Sequence, residues 1–345
     1  DKLDRSMLEM QREVITNYLR NYGYYGFAKE FVTFNADTTS GSLGVNLTMT
    51  IRPPYEQQPG QQRMIDTHSV YLIRNVYCVT DYDPSSPSAL HALEAKDTVG
   101  YKDMQILYGN HHYLRPSVIY DNTFLKAGSE FRQKDVDRTY QAFSRLQILK
   151  FINIRFVPVG EMKDVGFLDA YILLTPGKSQ SFAVELEGTN SEGDLGVAAG
   201  LTYTHRNIAK GSETLTVKLR GAYESLSGNL DGLLHNRYME YSGDVGVNFP
   251  KFKAPFLSER FKRNINATTE LKVSMSYQER PEYTRIISTA GWSYKWGVQQ
   301  RRSQHRIDLL DINYLYMPSI DSLFREKYLE KDENYILKYN YEDRF

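Results

Sequence analysis

The chain has 345 residues with 42 Lys+Arg against 42 Asp+Glu, and the balance also holds locally, with 20 of each sign up to residue 178 and 22 after it. This excludes a basic nucleic-acid arm or an acidic tail as the main theme, and no window approaches the ~18 consecutive apolar residues of a transmembrane helix. A mean hydropathy of −0.52 still admits a transmembrane β-barrel, whose strands alternate apolar and polar residues and average out as hydrophilic.

The length allows two or three domains of ~100–150 residues. The N-terminus shows no signal-peptide apolar core, so any export signal has been removed or lies upstream. Residues 5–25 read as a helix, with Met7, Met10, Val14, Tyr18 and Leu19 on one stripe, stopped at Asn21-Tyr22-Gly23. Two strands follow, Ala28 to Phe34 and Gly44 to Ile51, the second with Val45, Leu47, Met49 and Ile51 on one face. Pro53-Pro54 and a Gln-rich run to Gln62 then read as a linker.

The next unit opens with a strand at Val70–Thr80. It contains Cys78, the sole cysteine, which rules out a disulfide framework and reads as a buried, inert thiol. After a loop at 81–88, where Asp81-Tyr82-Asp83 reads as an Asx-type turn, come Arg115-Pro116 and Leu125-Lys-Ala-Gly128. A helix is expected from about Arg132 to Leu149, burying Val136, Tyr140, Phe143 and Leu146, with Asp135 and Asp137 in its first turn. Phe151–Pro158 and Leu168–Pro176 are two further strands. Helix, strand, strand thus occurs twice, which marks a repeated α+β module.

From about residue 180 only strands are expected, until a helix at about Ser319–Lys331. Phe182, Val184 and Leu186 alternate with Ala183, Glu185 and Glu187, and Leu215, Val217, Leu219 and Tyr223 alternate with Thr216, Lys218, Arg220 and Glu224. Similar runs at 197–204, 241–249, 271–278, 292–296 and 307–317, the last with a register break, bring the count to about seven. A barrel wall and a soluble antiparallel sandwich both produce this alternation. The 13% aromatic content, 27 Tyr among it, suits a membrane girdle or a Tyr-rich soluble sheet alike.

Several short patterns recur in the order of a known family. Tyr24-Tyr25-Gly26-Phe27-Ala28 after a helix resembles the turn before the second strand of POTRA domains, the βααββ periplasmic modules of the BamA/TamA outer-membrane assembly superfamily. Residues 115–156 and Leu173-Leu174-Thr175-Pro176 are similar to the last such module. Ser181-Phe182 to Asn190 resembles the first barrel strand, and Thr204-His205-Arg206-Asn207 with Gly211-Ser212-Glu213 resembles the second barrel hairpin.

The resemblance spans nearly the whole chain and is nearest the TamA-like surface-antigen branch. It implies a partial POTRA domain over 1–55, a linker over 56–66, a POTRA domain over 67–178 and the N-terminal part of a sixteen-stranded barrel over 179–345. Phe182, Ala183, Val184, Glu185, Leu186, Glu187 and Gly188 are then the lateral-gate strand, with Gly188 and the turn 190–194 weakening it. His205, Arg206, Asn207, Gly211 and Glu213 are the lumen and hairpin candidates, and Leu215, Val217, Leu219 and Tyr223 face lipid.

The implied function is assembly, insertion or translocation of outer-membrane proteins, with the N-terminal half in the periplasm of a Gram-negative bacterium. Implied partners are unfolded outer-membrane or surface-exposed clients, outer-membrane lipids and periplasmic or lipoprotein accessory subunits. A two-partner-secretion pore for one dedicated protein is the alternative within membranes, and a soluble β-rich binding protein is the alternative outside them. The family's lid motif is not found, and Asp343 stands where an outer-membrane C-terminal signal ending at Phe345 wants an apolar residue, so the end reads as a truncation. No cofactor, metal or nucleic acid is implied, and no catalytic set stands out, so the chain reads as no enzyme. His111-His112, read as adjacent on a strand and so pointing to opposite faces, with no acidic or Cys partner at ligand spacing, reads as a surface pair. Asn46-Leu-Thr48 and Asn266-Ala-Thr268 match glycosylation sequons but fall in predicted strands.

Overall fold

The structure is a computed structural model describing residues 4–37, 39, 45–58, 61–64, 67–85, 97–109, 111–162, 165–191, 194–226, 237–254, 257–258, 261–262, 265, 267–298 and 303–330. The chain divides into two compact units, Asp1–Arg145 with Leu149–Pro176, and Leu146–Ile148 with Gly177–Phe345. Among the described residues no helix is long and apolar enough to cross a membrane.

In the first unit, helix α1 (Arg5–Arg20) is capped by Asp4, whose side chain accepts the Ser6 amide. It ends before Gly23, whose φ of +90° is open to glycine without strain. A side chain there would also strike Val70, whose Cγ1 lies 2.6 Å from the position of a Cβ. No residue of α1 is buried, and Met7, Met10, Val14 and Tyr18 of the expected stripe are exposed. Strand β1 (Val32–Asp37) begins later than expected because Lys29–Phe31 forms a 3-10 turn, and it pairs antiparallel with β2 (Asn46–Ile51). Within the stretch read as a linker, β3 (Tyr55–Gln58) and β4 (Gln61–Met64) form a short hairpin.

The rest of the unit is a five-stranded sheet with the order β6-β7-β5-β9-β8. Its strands are β5 (Val70–Val79), β6 (Asp97–Tyr101), β7 (Met104–Tyr108), β8 (Leu149–Met162) and β9 (Val165–Pro176). The parallel pairing of β5 with β9 requires a crossover, and helices α2 (Pro116–Asp121) and α3 (Gln133–Ser144) lie in it. Ile73, Val76, Cys78, Ile106, Ile119, Phe143, Leu168 and Ile172 are buried. Asp169, almost fully buried, is held by Arg74 through two bonds of 3.0 and 2.7 Å and by Asn75 at 3.1 Å.

Three local expectations change. Helix α3 stops at Ser144, because Leu149 already belongs to β8 and pairs with Pro176. Its buried residues are Thr139, Ala142 and Phe143, whereas Tyr140 is half exposed. Thr139 can sit inside because its hydroxyl donates to the Asp135 carbonyl and accepts the Phe124 amide. His112 lies in a loop rather than a strand, stacked on Tyr108 at 3.9 Å with Nε2 2.9 Å from Asp97. The turn at 81–85 is as read: Asp83 accepts the Ser85 amide and hydroxyl, which lowers its carboxyl pKa.

Cys78 is fully buried, and burial pushes its thiol well above the ordinary range. A thiol reagent at neutral pH is therefore expected to leave the native chain unmodified over the time in which the urea-unfolded chain reacts to completion. Equal rates in the two states would place Cys78 outside the core.

The second unit is an antiparallel meander, β10 (Gln180–Ser191), β11 (Asp194–His205), β12 (Thr214–Ser225), β13 (Arg237–Phe249), β14 (Ala267–Glu279), β15 (Tyr283–Val298) and β16 (Ser303–Ile320), paired in sequence order. These are the seven expected strands, longer at both ends than the alternating runs alone mark out except at Phe249, where the run and β13 end together. Register breaks fall in β16, where Leu309 is skipped opposite Trp292/Ser293 and Met317-Pro318 opposite Thr284/Ile286. Beyond β16 the expected helix is a short turn, Ser322–Phe324, followed by a π-helical Arg325–Glu330. Asn266, Asp343 and Phe345 lie outside the described residues.

Candidate functional site: a one-sided sheet with an open edge

Side chains alternate across a strand, so cross-strand register decides which of them share a face. Following the pairs across the second unit gives the row Phe182, Tyr203, Val217, Val245, Val273, Ala290, Ile312, apolar in every strand. The next row is Val184, Leu201, Leu219, Gly243, Met275, Ser288, Tyr314. Leu215, Val247, Leu271, Trp292 and Leu310 line up on the other side of the first. Despite this composition the face is open: Val184 is 72% exposed, Leu186 82% and Val273 60%. Soluble monomers rarely expose contiguous apolar patches larger than a few hundred Å².

Aromatic residues collect towards the ends of that face. Tyr241, Tyr277 and Tyr316 stand in the row of Ile286, with Tyr223 beyond. Phe249, Trp292, Tyr294 and Trp296 stand at the other end, Tyr294 donating to the Lys253 carbonyl at 3.0 Å. From Ile286 to Trp296 is ten residues along β15, about 34 Å of strand. At the ~40° tilt of a barrel strand this spans about 26 Å, the height of a barrel's apolar band.

The opposite face is polar and charge-paired. Arg220 bridges Glu187 at 2.8 Å and Glu240 at 4.0 Å, and Glu240 also accepts from Tyr238 and Ser276. Lys272 pairs with Asp244 at 3.3 Å, Arg306 pairs with Asp308, and Lys295 pairs with Glu270. Arginine and carboxylate on the wall of a sheet whose other face is hydrocarbon-like is the division a wet lumen needs.

The lateral-gate candidates form the edge strand β10, which pairs only with β11 among the described residues. Phe182, Val184 and Leu186 are on the apolar face, and Glu185 and Glu187 on the polar one. Pairing runs through Gly188 without a register shift, from Gln180↔His205 to Ser191↔Asp194. The two edges of the sheet are therefore unlike. Strand β16 carries two bulges and a proline, devices that blunt an edge against further pairing, whereas β10 is regular throughout.

His205, Arg206, Asn207, Gly211 and Glu213 come together in the turn between β11 and β12. The Asn207 side chain accepts the Ser212 amide at 2.9 Å, and the buried Glu213 carboxylate accepts the Gly211 amide at 2.8 Å. These bonds hold Lys210 and Ser212 at φ of 56° and 60°, a region that non-glycine residues seldom occupy. His205 Nδ1 accepts the Asn207 amide at 3.2 Å, so four of the five shape a tight turn. Arg206 is on the turn and also borders the polar face, with Nη1 3.4 Å from the Lys178 carbonyl. Of the lipid-facing candidates, Leu219 and Tyr223 are exposed, Leu215 and Val217 half-buried, and all four share one face.

Among the described residues the sheet of the first unit also ends in edge strands, β6 and β8, that the periodicity did not mark. Strand β8 is terminal in its sheet, and a groove of about 360 Å³ lies between it and α3, walled by Val136, Tyr140, Ile152 and Ile154. The signal that pointed elsewhere was Tyr140, which fits a buried stripe by spacing.

No protein-family model matches the sequence, and no curated protein matches it. Among solved structures, the fold is similar to BamA from Haemophilus ducreyi lacking POTRA domains 1–3, at 12% identity and a TM-score of 0.41, over 93% of this chain and 59% of that one. It is also similar to CdiB from Acinetobacter baumannii, at 8% identity and a TM-score of 0.32 over 94% and 80% of the two chains. CdiB from Escherichia coli is similar at 9% identity and a TM-score of 0.25, over 91% and 64%. This chain thus spans about three-fifths of the BamA chain's length.

Proposed function

We propose that this chain is part of an outer-membrane protein that inserts or translocates other polypeptides. The seven-stranded sheet is a stretch of barrel wall in this reading, and the first unit is its periplasmic receiving region. The observation that carries the reading is the continuous, exposed apolar face ending at a regular, unblunted edge strand. Hydrocarbon satisfies such a face, and an open edge offers main-chain donors and acceptors that work with almost any client sequence.

The POTRA assignment of the first unit is supported by the order β5, α2, α3, β8, β9, with β5 parallel to β9 and the β6-β7 pair inserted after β5, and by the groove beside β8, where a client strand would add. Clients are unfolded outer-membrane or surface-exposed proteins, and lipid covers the apolar face. The work is driven by the client's own folding and burial rather than by a nucleotide or a catalytic step.

Expressed with an export signal in a Gram-negative host, the chain is expected to sediment with outer membranes and to resist extraction by urea or alkaline carbonate. It should also migrate faster on gels unheated than heated. If the chain is instead recovered folded and monomeric in detergent-free buffer, the apolar face is not a lipid face and the protein is a soluble binding module.

A further inference from the structure

The polar face of the second unit contains a cavity of about 390 Å³ whose charges do not balance. Arg206, Lys218 and Lys272 border it, against Asp244 and Glu270. Both carboxylates already have cations, Asp244 being paired with Lys272 and Glu270 with Lys295. Among the described residues Arg206 reaches only the Lys178 carbonyl, and Lys218 makes no ion pair within 4.0 Å. Two cations thus face one concavity without an ion pair, Lys218 standing directly across the strands from Asp244, which Lys272 already engages.

Neutral donors surround them. The hydroxyls of Thr204 and Thr216 border the cavity. Gln147, whose side-chain oxygen accepts from Thr214 at 3.1 Å, keeps its amide N–H groups for a ligand.

We infer that this cavity is a binding site for a carboxylate-bearing polypeptide segment, Lys218 and Arg206 taking the carboxylate. The inference rests on the proposed handling of client chains and names what one part of a client must carry. The mixed charge selects a peptide over a phosphate: a dianion would face Asp244 and Glu270, whereas a peptide brings N–H groups that those carboxylates accept.

The test uses the full chain in detergent micelles at low salt and a fluorescent, acetylated and amidated octapeptide of alternating Glu and Thr. Its Gln/Thr counterpart and inorganic phosphate are the comparison arms. The Gln peptide is expected to bind about tenfold more weakly, the loss of a charge-assisted hydrogen bond. Lys218→Gln should remove most of that preference while Lys218→Arg keeps it, and phosphate at equal concentration should not displace the Glu peptide.

Equal affinity for the two peptides, or a preference unchanged in Lys218→Gln, overturns the inference, as does displacement by phosphate, which would make the cavity a phosphate site. Retained heat-modifiable mobility shows that each variant is folded. Membrane partitioning without a Glu preference sinks this inference alone, and a Glu preference in a chain that stays out of membranes sinks the barrel reading alone.

Discussion

Val273→Arg is expected to abolish the membrane-assembled form of the protein, while Ser274→Arg, one residue away, is expected to leave it intact. Val273 is in the central apolar row, flanked by Val245 and Ala290. An arginine at mid-height on a lipid face costs ~2–4 kcal/mol, a large fraction of the ~5–15 kcal/mol that separates folded from unfolded in most domains. Ser274 projects to the other face, directly opposite Asp244, so an arginine there gains a carboxylate neighbour and loses only the hydroxyl contact with Thr289. If water covered the apolar face, Val273, already 60% exposed, would tolerate arginine within ~0.5 kcal/mol. The measurement is the fraction of each variant that shows heat-modifiable mobility and urea resistance in membranes. Equal fractions for the two variants would mean that the faces do not differ in solvent.

How much of this was legible without coordinates depends on the range of the interaction. The alternation of Leu215, Val217, Leu219 and Tyr223 is local, a period of two along one strand, and it identified a face. Nothing local says that Val217 lies beside Tyr203 and Val245, or that the row continues to Ile312. Register fixes that, and register is set by turn lengths and by pairing across the whole sheet. The charge pairs show the same limit, since Arg220 and Glu187 are 33 residues apart.

Helix α3 failed in a different way. Spacing placed Tyr140 on the buried stripe because apolar residues are assumed to define it, but Thr139 takes the interior position by satisfying its hydroxyl twice over. Likewise α1 is amphipathic by spacing, yet none of its residues is buried. Periodicity reports which face is apolar and is silent on what covers it.

Leu186→Cys is expected to form a disulfide with a client strand carrying a single cysteine, with a yield on the order of tenfold above that of Val245→Cys, because among the described residues β10 has an unfilled side and β13 has none. The two residues share the apolar face, so lipid access does not separate them. What differs is pairing: Val245 has β12 on one side and β14 on the other, while among the described residues Leu186 has only β11. Disulfide geometry enforces the distinction, since the bond needs Cα atoms within about 7 Å. A directly paired strand meets this limit at ~4.5–5.5 Å, and a molecule drifting past does not hold it. The background is clean because Cys78 is the sole native cysteine and is buried. Tyr314→Cys on β16 supplies the sharper control, being on the opposite edge of the same sheet but between two bulges. Client capture at 186 with little at 314 assigns strand addition to the regular edge. Equal capture at both edges would mean that bulges and Pro318 do not protect β16, and equal capture at 186 and 245 would remove strand pairing from the mechanism altogether.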